Sequence, residues 1–385
     1  MTNNPYIRSL DGVRAIAISG VMLFHWDILR FGWVGVPLFF VLSGYLISGI
    51  LLREKQRPDS LAAKLKKFWI RRALRIFPLY YGYLLLFVVI FLVWGYPADY
   101  KQELPWLLTY TYNYTAFHGV PFSPVYSHFW SLCVEEQFYL FFPPAVLLLR
   151  VSQLRKLTIA MLVAGPLYRL LFSLYLRHMG QSDTVVYDAV FWSTPSNLDA
   201  FFTGAAIHLF ELPARVKRPH WLFAGVLAAT LLAGGINYLS IKDSFSASVP
   251  YISQLGFIMR HSGHWQEVWY NCFFFPLAGA LLLLMVSPYR NPLRNALQHL
   301  FESRPLVAVG KVSYGMYLYH WIIMELMWQP FLNRQQGPFK YLYFIVFFLV
   351  VYAVSYISYR WFEQWFIQLK DKLTAAPALI TRQQA

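Results

Sequence analysis

Stretches of about 20 mostly apolar residues, the length a helix needs to cross a bilayer, recur along this chain. They fall at 11–30, 34–52, 75–95, 129–149, 157–176, 190–210, 221–240, 268–287, 306–327 and 341–362. No stack of water-soluble layers buries so many. With 58% hydrophobic and only 13% charged residues among 385, the expectation is an all-α, polytopic transmembrane bundle of about ten spans. The segment 104–117 is too short and too polar to cross.

Charge placement orients the spans. Short cytoplasmic loops collect Lys and Arg, and with the N-terminus inside, the inner segments hold 23 of the 33 basic residues while the outer ones hold 7. Both termini are therefore expected in the cytoplasm, the protein being multi-pass in the cell (inner or plasma) membrane. The same bias explains the net charge of +15 and leaves no need for a nucleic-acid partner. The first apolar stretch carries Asp11 and Arg14 and runs on to the second without a small-residue cleavage site, so no cleavable signal peptide is expected. Cys133 and Cys272 offer neither a disulfide framework nor a metal pattern. Without a repeat or a linker, residues 1–365 read as one membrane domain and 366–385 as a short cytoplasmic tail.

Charged groups near the bilayer centre cost roughly 2.5–3.5 kcal/mol each, so their positions point to function. At 100° per residue, Asp11, Arg14 and His25 share one face of the first span, with His25 roughly 16 Å beyond Arg14. In the fourth span His128, Glu135 and Tyr139 share a face, and Glu136 is turned some 100° from Glu135, away from it. A lone His or Glu there could serve only helix packing; an Arg, a His and a Glu at depths that can meet suggest a site. On the cytoplasmic side Arg71, Arg72 and Arg75 flank the third span, with Pro78 expected to bend or break the helix. Arginine forks suit phosphate oxygens, although topology and anionic lipids alone would also gather such a cluster. Gly35, Ser43 and Gly44 are small residues that admit a neighbouring backbone or a ligand.

The strings LDGVRAIA with His25 at the end of that span, GVPLFFVLSGYLIS, FWIRRALRIFPLYY, HFWSLCVEEQFY, SNLDAFFTGAAI and VGKVSYGMYLYHW occur in this order. Together they resemble the integral-membrane acyltransferase 3 family, from Leu10 to about Glu363. The resemblance implies about ten helices, an acyl-CoA donor (most often acetyl-CoA), no metal, and O-acylation of a sugar in a surface or exported glycan or a glycosylated small molecule. By motif, Arg14 and His25 match the family's essential pair, Glu135 the acid of its WSL-x-x-E element, and Arg71, Arg72 and Arg75 its arginine motif. Ser43 joins the expected donor-binding set. His128, Trp130, Tyr139, Asp199 and His320, within the matching strings, are expected to meet the acceptor. Pro37 departs from the acidic or polar residue of many relatives, and the extracytoplasmic hydrolase-like domain that some relatives add is not expected here.

Acyl transfer from a thioester to a hydroxyl needs a base and a group that stabilises the oxyanion. His25 is the expected base, Glu135 its orienting partner, and Arg14 steers donor phosphates or supports the thioester. Either the donor's pantetheine arm reaches His25 or His25 carries the acyl group briefly. The competing class is a transporter or flippase using the same buried Arg, His and Glu as a pathway; a noncatalytic scaffold would not keep such charges.

Overall fold

The computed structural model describes residues 6–120, 123–242, 251–260, 263–331 and 339–374, and for 328–331, 371 and 374 only the backbone. The described residues form helices and turns, with no strand. Arg334, expected in an outer loop, lies outside them, as do 375–385 of the expected tail.

The chain opens with α1 (Arg8–His25) and α2 (Gly35–Lys55), joined through a 3-10 turn at Gly32–Val34. Ser60 caps α3 (Leu61–Trp94) by accepting from the Ala63 amide at 3.3 Å, and Gly95 ends it at φ 68°, a left-handed conformation that glycine adopts without strain. Pro78 does not break α3. A proline removes only the hydrogen bond to the carbonyl four residues earlier, and here α5 and α18 pack along the helix and hold it continuous. The segment judged too short to cross begins within α4 (Tyr100–Leu108) and continues in turns, tied to α3 by the Tyr80 hydroxyl donating to the Leu107 carbonyl at 2.7 Å.

The helices α5 (Phe129–Leu148) and α6 (Val151–His178) follow. The expected span 190–210 is divided: α7 (Asp183–Trp192) stops at Ser193, a 3-10 turn covers Pro195–Asn197, and α8 (Leu198–Leu209) resumes. Pro195 has no amide hydrogen to continue α7. After α9 (Leu212–Arg215) and α10 (Pro219–Ile241) come the short α11 (Tyr251–Gln254) and α12 (Gln266–Trp269), then α13 (Asn271–Val286) and α14 (Pro292–Phe301). The span 306–327 is also divided, into α15 (Arg304–Lys311) and α16 (Ser313–Phe331). Finally α17 (Phe339–Ser358) runs through a π turn at Tyr359–Glu363 into α18 (Gln364–Thr374), so the first part of the expected tail is a helix on α3.

Among the described residues, six helical stretches are long and apolar enough to cross a bilayer: Gly32–Lys55, Leu61–Trp94, Val151–His178, Pro219–Ile241, Gln266–Val286 and Phe339–Lys370. Large apolar side chains face outward on them, among them Leu92 of α3, Leu232 of α10 and Leu349 of α17, as a lipid-facing surface requires. The other four expected spans are α1, α5 and the two divided ones. They are interrupted by charge or by breaks, and they supply most of the site. At the centre α2 touches α1, α5, α8 and α13. A methyl group on Gly204 would collide with the Val41 carbonyl, and one on Gly44 with the Phe201 carbonyl, so α2 and α8 cross backbone to backbone.

Candidate active site

Within the bundle, α1, α2, α3, α5, α15 and α16 enclose a cavity of about 130 Å³. Its polar face starts from the spacing of Glu135 and Tyr139 on α5, which stacks them one turn apart. One carboxylate oxygen of Glu135 accepts from both the Tyr139 hydroxyl and the Ser43 hydroxyl of α2, and Tyr139 also lies 3.3 Å from the Ser43 oxygen. Arg72 lies over the Tyr139 ring at 4.9 Å and is thereby committed to protein contacts. Arg14 forms an ion pair with Asp11 at 2.5 Å, and Tyr6 donates to the same Asp11. It lines the cavity as well.

Two further cavities adjoin the first. One of about 760 Å³ is bordered by Arg14, Arg53, Arg75, Lys311 and Lys370. The other, of about 290 Å³, is bordered by Lys64, Lys67, Arg71, Arg72, Arg75 and Lys370. Arg75 borders all three cavities. Among the described residues it has no hydrogen bond or ion pair, and it stays accessible within the cavity space. A guanidinium with open donors at the junction of basic cavities suits an anionic ligand such as a phosphate.

His25, the last residue of α1, stands in a different tier. Its ring lies 5.2 Å from His320 and 4.7 Å from Trp321, and His320 lies 4.9 Å from His128. The His320 Nδ1 meets the Tyr317 carbonyl at 2.6 Å and the His128 Nε2 meets the Leu318 carbonyl at 3.2 Å. Carbonyls only accept, so each of these nitrogens carries the proton. The opposite nitrogens, His320 Nε2 and His128 Nδ1, are buried lone pairs without a partner. Tyr317 joins the tiers: it holds His320, its hydroxyl lies 2.5 Å from Ser131 and donates to the His128 carbonyl at 3.0 Å, and it lines the central cavity. Among the described residues no group of three or more His, Cys, Asp or Glu has the spacing of a metal site.

The structure thus gathers Arg14, Ser43, Arg72, Arg75, Glu135 and Tyr139 around one cavity, puts Arg71 at its basic mouth, and collects His25, His128 and His320 apart from them. Glu135 does not touch His25. Seven residues of helix separate Glu135 from His128, roughly 10 Å, and the carboxylate is taken by Ser43 and Tyr139. The expected Glu135–His25 contact is replaced by His320 and Trp321 beside His25. Glu136 is not turned away either: it borders the central cavity, with one oxygen buried and unpartnered. The cavity extends from α2 round to α3 and α16, so residues 100° apart on α5 both reach it.

Trp130 and Asp199 stand outside this constellation. Trp130 packs on Phe40, Phe191 and Trp192, and Asp199 pairs with the fully buried Arg169 at 2.9 Å. Sequence reasoning missed that pair, although an Arg and an Asp inside neighbouring spans were its signal. It also missed Ser131, Tyr314 and Tyr317, which all line the central cavity but look like ordinary aromatic-belt and packing residues in an apolar helix.

The comparisons agree with this picture at the level of family. A family profile described as an acyltransferase domain matches residues 7–366. A peptidoglycan O-acetyltransferase, OatA, of Listeria monocytogenes is 30% identical over 340 residues, covering 83% of this chain and 50% of the relative. A Staphylococcus aureus strain COL protein provisionally named as an O-acetyltransferase is 29% identical over 380 residues, and the O-acetyltransferase OatA of S. aureus strain NCTC 8325 is 26% identical over 378, each match covering 93% of this chain and 57% of the relative. The chain therefore spans 50 to 57% of the length of these relatives. No solved structure matches. The residue strings, the all-helical bundle and a profile match over nearly its whole length place the chain in the acyltransferase 3 family of membrane proteins.

Proposed function

We propose that this chain is a membrane O-acyltransferase that moves an acyl group, by expectation acetyl, from acyl-CoA to a hydroxyl of a sugar in a surface or exported glycan or a glycosylated small molecule. In this reading ten segments cross the cell membrane and both termini are cytoplasmic. The observation that carries it is Arg75, open at the junction of two basic cavities and the cavity that holds Glu135. Phosphates of the donor would rest on Arg75 and Arg71 while its pantetheine arm runs through the central cavity toward Tyr317. Relatives named as O-acetyltransferases, one of them acting on peptidoglycan by its name, support the transferred group and a glycan acceptor.

The chemistry divides between the tiers. His25 takes the proton of the acceptor hydroxyl, the hydroxyl oxygen attacks the thioester carbonyl, and the carbon–sulfur bond breaks to release the CoA thiolate, which recovers the proton. His128 and His320 offer lone pairs to further hydroxyls of the acceptor. Glu135, with Ser43 and Tyr139, shapes the channel for the arm. The test is transfer of label from radioactive acetyl-CoA to a glycan by purified protein, with His25→Ala as control. The variant should insert normally and lose about 10²–10⁴-fold in kcat. Wild-type turnover by His25→Ala would remove the base assignment, and no transfer by the wild type would return the chain to the transporter reading.

A further inference from the structure

Away from the site, α6, α8, α10 and α13 surround a separate cavity of about 440 Å³ within the bundle. Its walls are mostly apolar, with Leu222 and Val226 of α10, Ala206 and Ile207 of α8, and Phe275 and Leu283 of α13; the polar lining residues are Thr203, Asn271 and Asp199, whose carboxylate is held by Arg169. Measured along α13 it runs from Asn271 to Leu283, roughly 18 Å. The volume admits on the order of a dozen methylene groups at the roughly 30 Å³ a water molecule occupies in the liquid. An apolar cavity does not hold water, and in a bilayer the alternative filling is an alkyl chain.

Acceptors border the cavity along its length. Asn271, 2% exposed, borders it and has its Oδ1 buried without a partner. Pro166 of α6 and Pro276 of α13 border it too, and each deprives the carbonyl four residues earlier of its helical donor. Those carbonyls belong to Leu162 and Cys272, both lining residues. No cation is open here. The Arg169 guanidinium is spent on Asp199, the carbonyls of Ser196 and Val268, and the Cys272 sulfur. Unpaired acceptors without a free cation call for a neutral hydrogen-bond donor and repel carboxylate or phosphate.

We propose that this cavity binds a neutral, hydroxyl-bearing, single-chain amphiphile drawn from the bilayer, its chain between α6, α8, α10 and α13 and its hydroxyl at the Asn271 end. The site is distinct from the one for donor and acceptor, and it stands whether or not the acyl-transfer reading holds.

The test places the full chain in lipid nanodiscs and irradiates it with hexadecanol carrying a mid-chain diazirine, beside the carboxylate of equal length. The alcohol should cross-link within 199–212 and 271–283, compete with unlabelled hexadecanol, and exceed the carboxylate by about tenfold, the equivalent of 1.4 kcal/mol. Ala280→Phe should abolish this labelling by filling the cavity. Val226→Phe, from the opposite wall, gives the same reading if Ala280→Phe fails to insert. Asn271→Leu should keep chain labelling and lose the preference for alcohol. Equal labelling of the outward face of α3 at Leu85 and Leu92, equal labelling by alcohol and carboxylate, or indifference to both filling variants would overturn the proposal.

Discussion

Three arginines that look equivalent in the string FWIRRALRIF occupy different positions. Arg72 is committed to the faces of Tyr139 and Phe68, Arg71 borders the outlying basic cavity, and Arg75 stands unpaired where all three cavities meet. A charge-assisted hydrogen bond to a phosphate contributes roughly 1.5–3 kcal/mol. Arg75→Gln should therefore raise the KM for acyl-CoA about 10- to 100-fold with little change for the acceptor. Arg72→Gln should act mainly through thermal stability, since a cation–π contact is worth roughly 0.5–2 kcal/mol. Steady-state kinetics beside melting curves separates the two, and equal donor effects would erase the distinction. The sequence could not rank these residues, because helical phase says which side a residue is on and nothing of whether an aromatic ring covers it. The same limit misread Glu136: its angle from Glu135 was legible, while the width of the cavity that both border was not.

At the scale of elements, apolar runs revealed the long helices and concealed the breaks. The TPSN turn between α7 and α8 and the Val312 turn between α15 and α16 interrupt stretches that hydropathy reads as continuous, because hydropathy counts apolar area and is blind both to the missing amide hydrogen of Pro195 and to the tighter turn at Val312, whose amide donates to the Val309 carbonyl three residues back. Close crossings were half legible: Gly44 was marked as a packing residue, its contact with Phe201 was not. Gly204→Val would drive a side chain into the Val41 carbonyl, and overpacking of this kind costs about 1–3 kcal/mol. A lower Tm for Gly204→Val than for Gly225→Val, where nothing lies within 4 Å, checks it. A second element-scale expectation concerns pH. Outside the spans, Glu103 of α4 is buried, which pushes its carboxyl up to about 7, although the Ser123 amide at 2.9 Å and the Tyr112 hydroxyl at 2.8 Å oppose the shift. The folded segment then holds the proton more tightly than the unfolded one. Its contribution is fully present below the unfolded value of about 4.5 and is lost as pH rises through about 7. Hydrogen exchange of residues 100–118, corrected for intrinsic rates, should show protection falling across that interval, and Glu103→Gln should flatten the dependence.

For the whole molecule, the unequal distribution of Lys and Arg and the placement of the cavities make the same division. The two basic cavities are walled by residues of α2, α3 and α18 near the Lys- and Arg-rich 53–75 region, whereas His25 lies roughly 16 Å beyond Arg14 along α1, beside His320, which in turn adjoins His128. If ten spans and the positive-inside bias set the orientation, donor phosphates engage on the cytoplasmic side and the acceptor hydroxyl meets the histidines toward the other face. Acyl-CoA is too polar to cross a bilayer. Sealed vesicles with the 56–60 turn outward should therefore consume added acyl-CoA, and vesicles of opposite orientation should not until detergent opens them. A cysteine placed at Arg57 and another at Gly180, each tested with an impermeant maleimide, report the orientation of each preparation independently of activity. Consumption by both preparations before detergent would mean that the donor is admitted from either face. Consumption only with Gly180 outward would invert the topology and take the phosphate site away from Arg75.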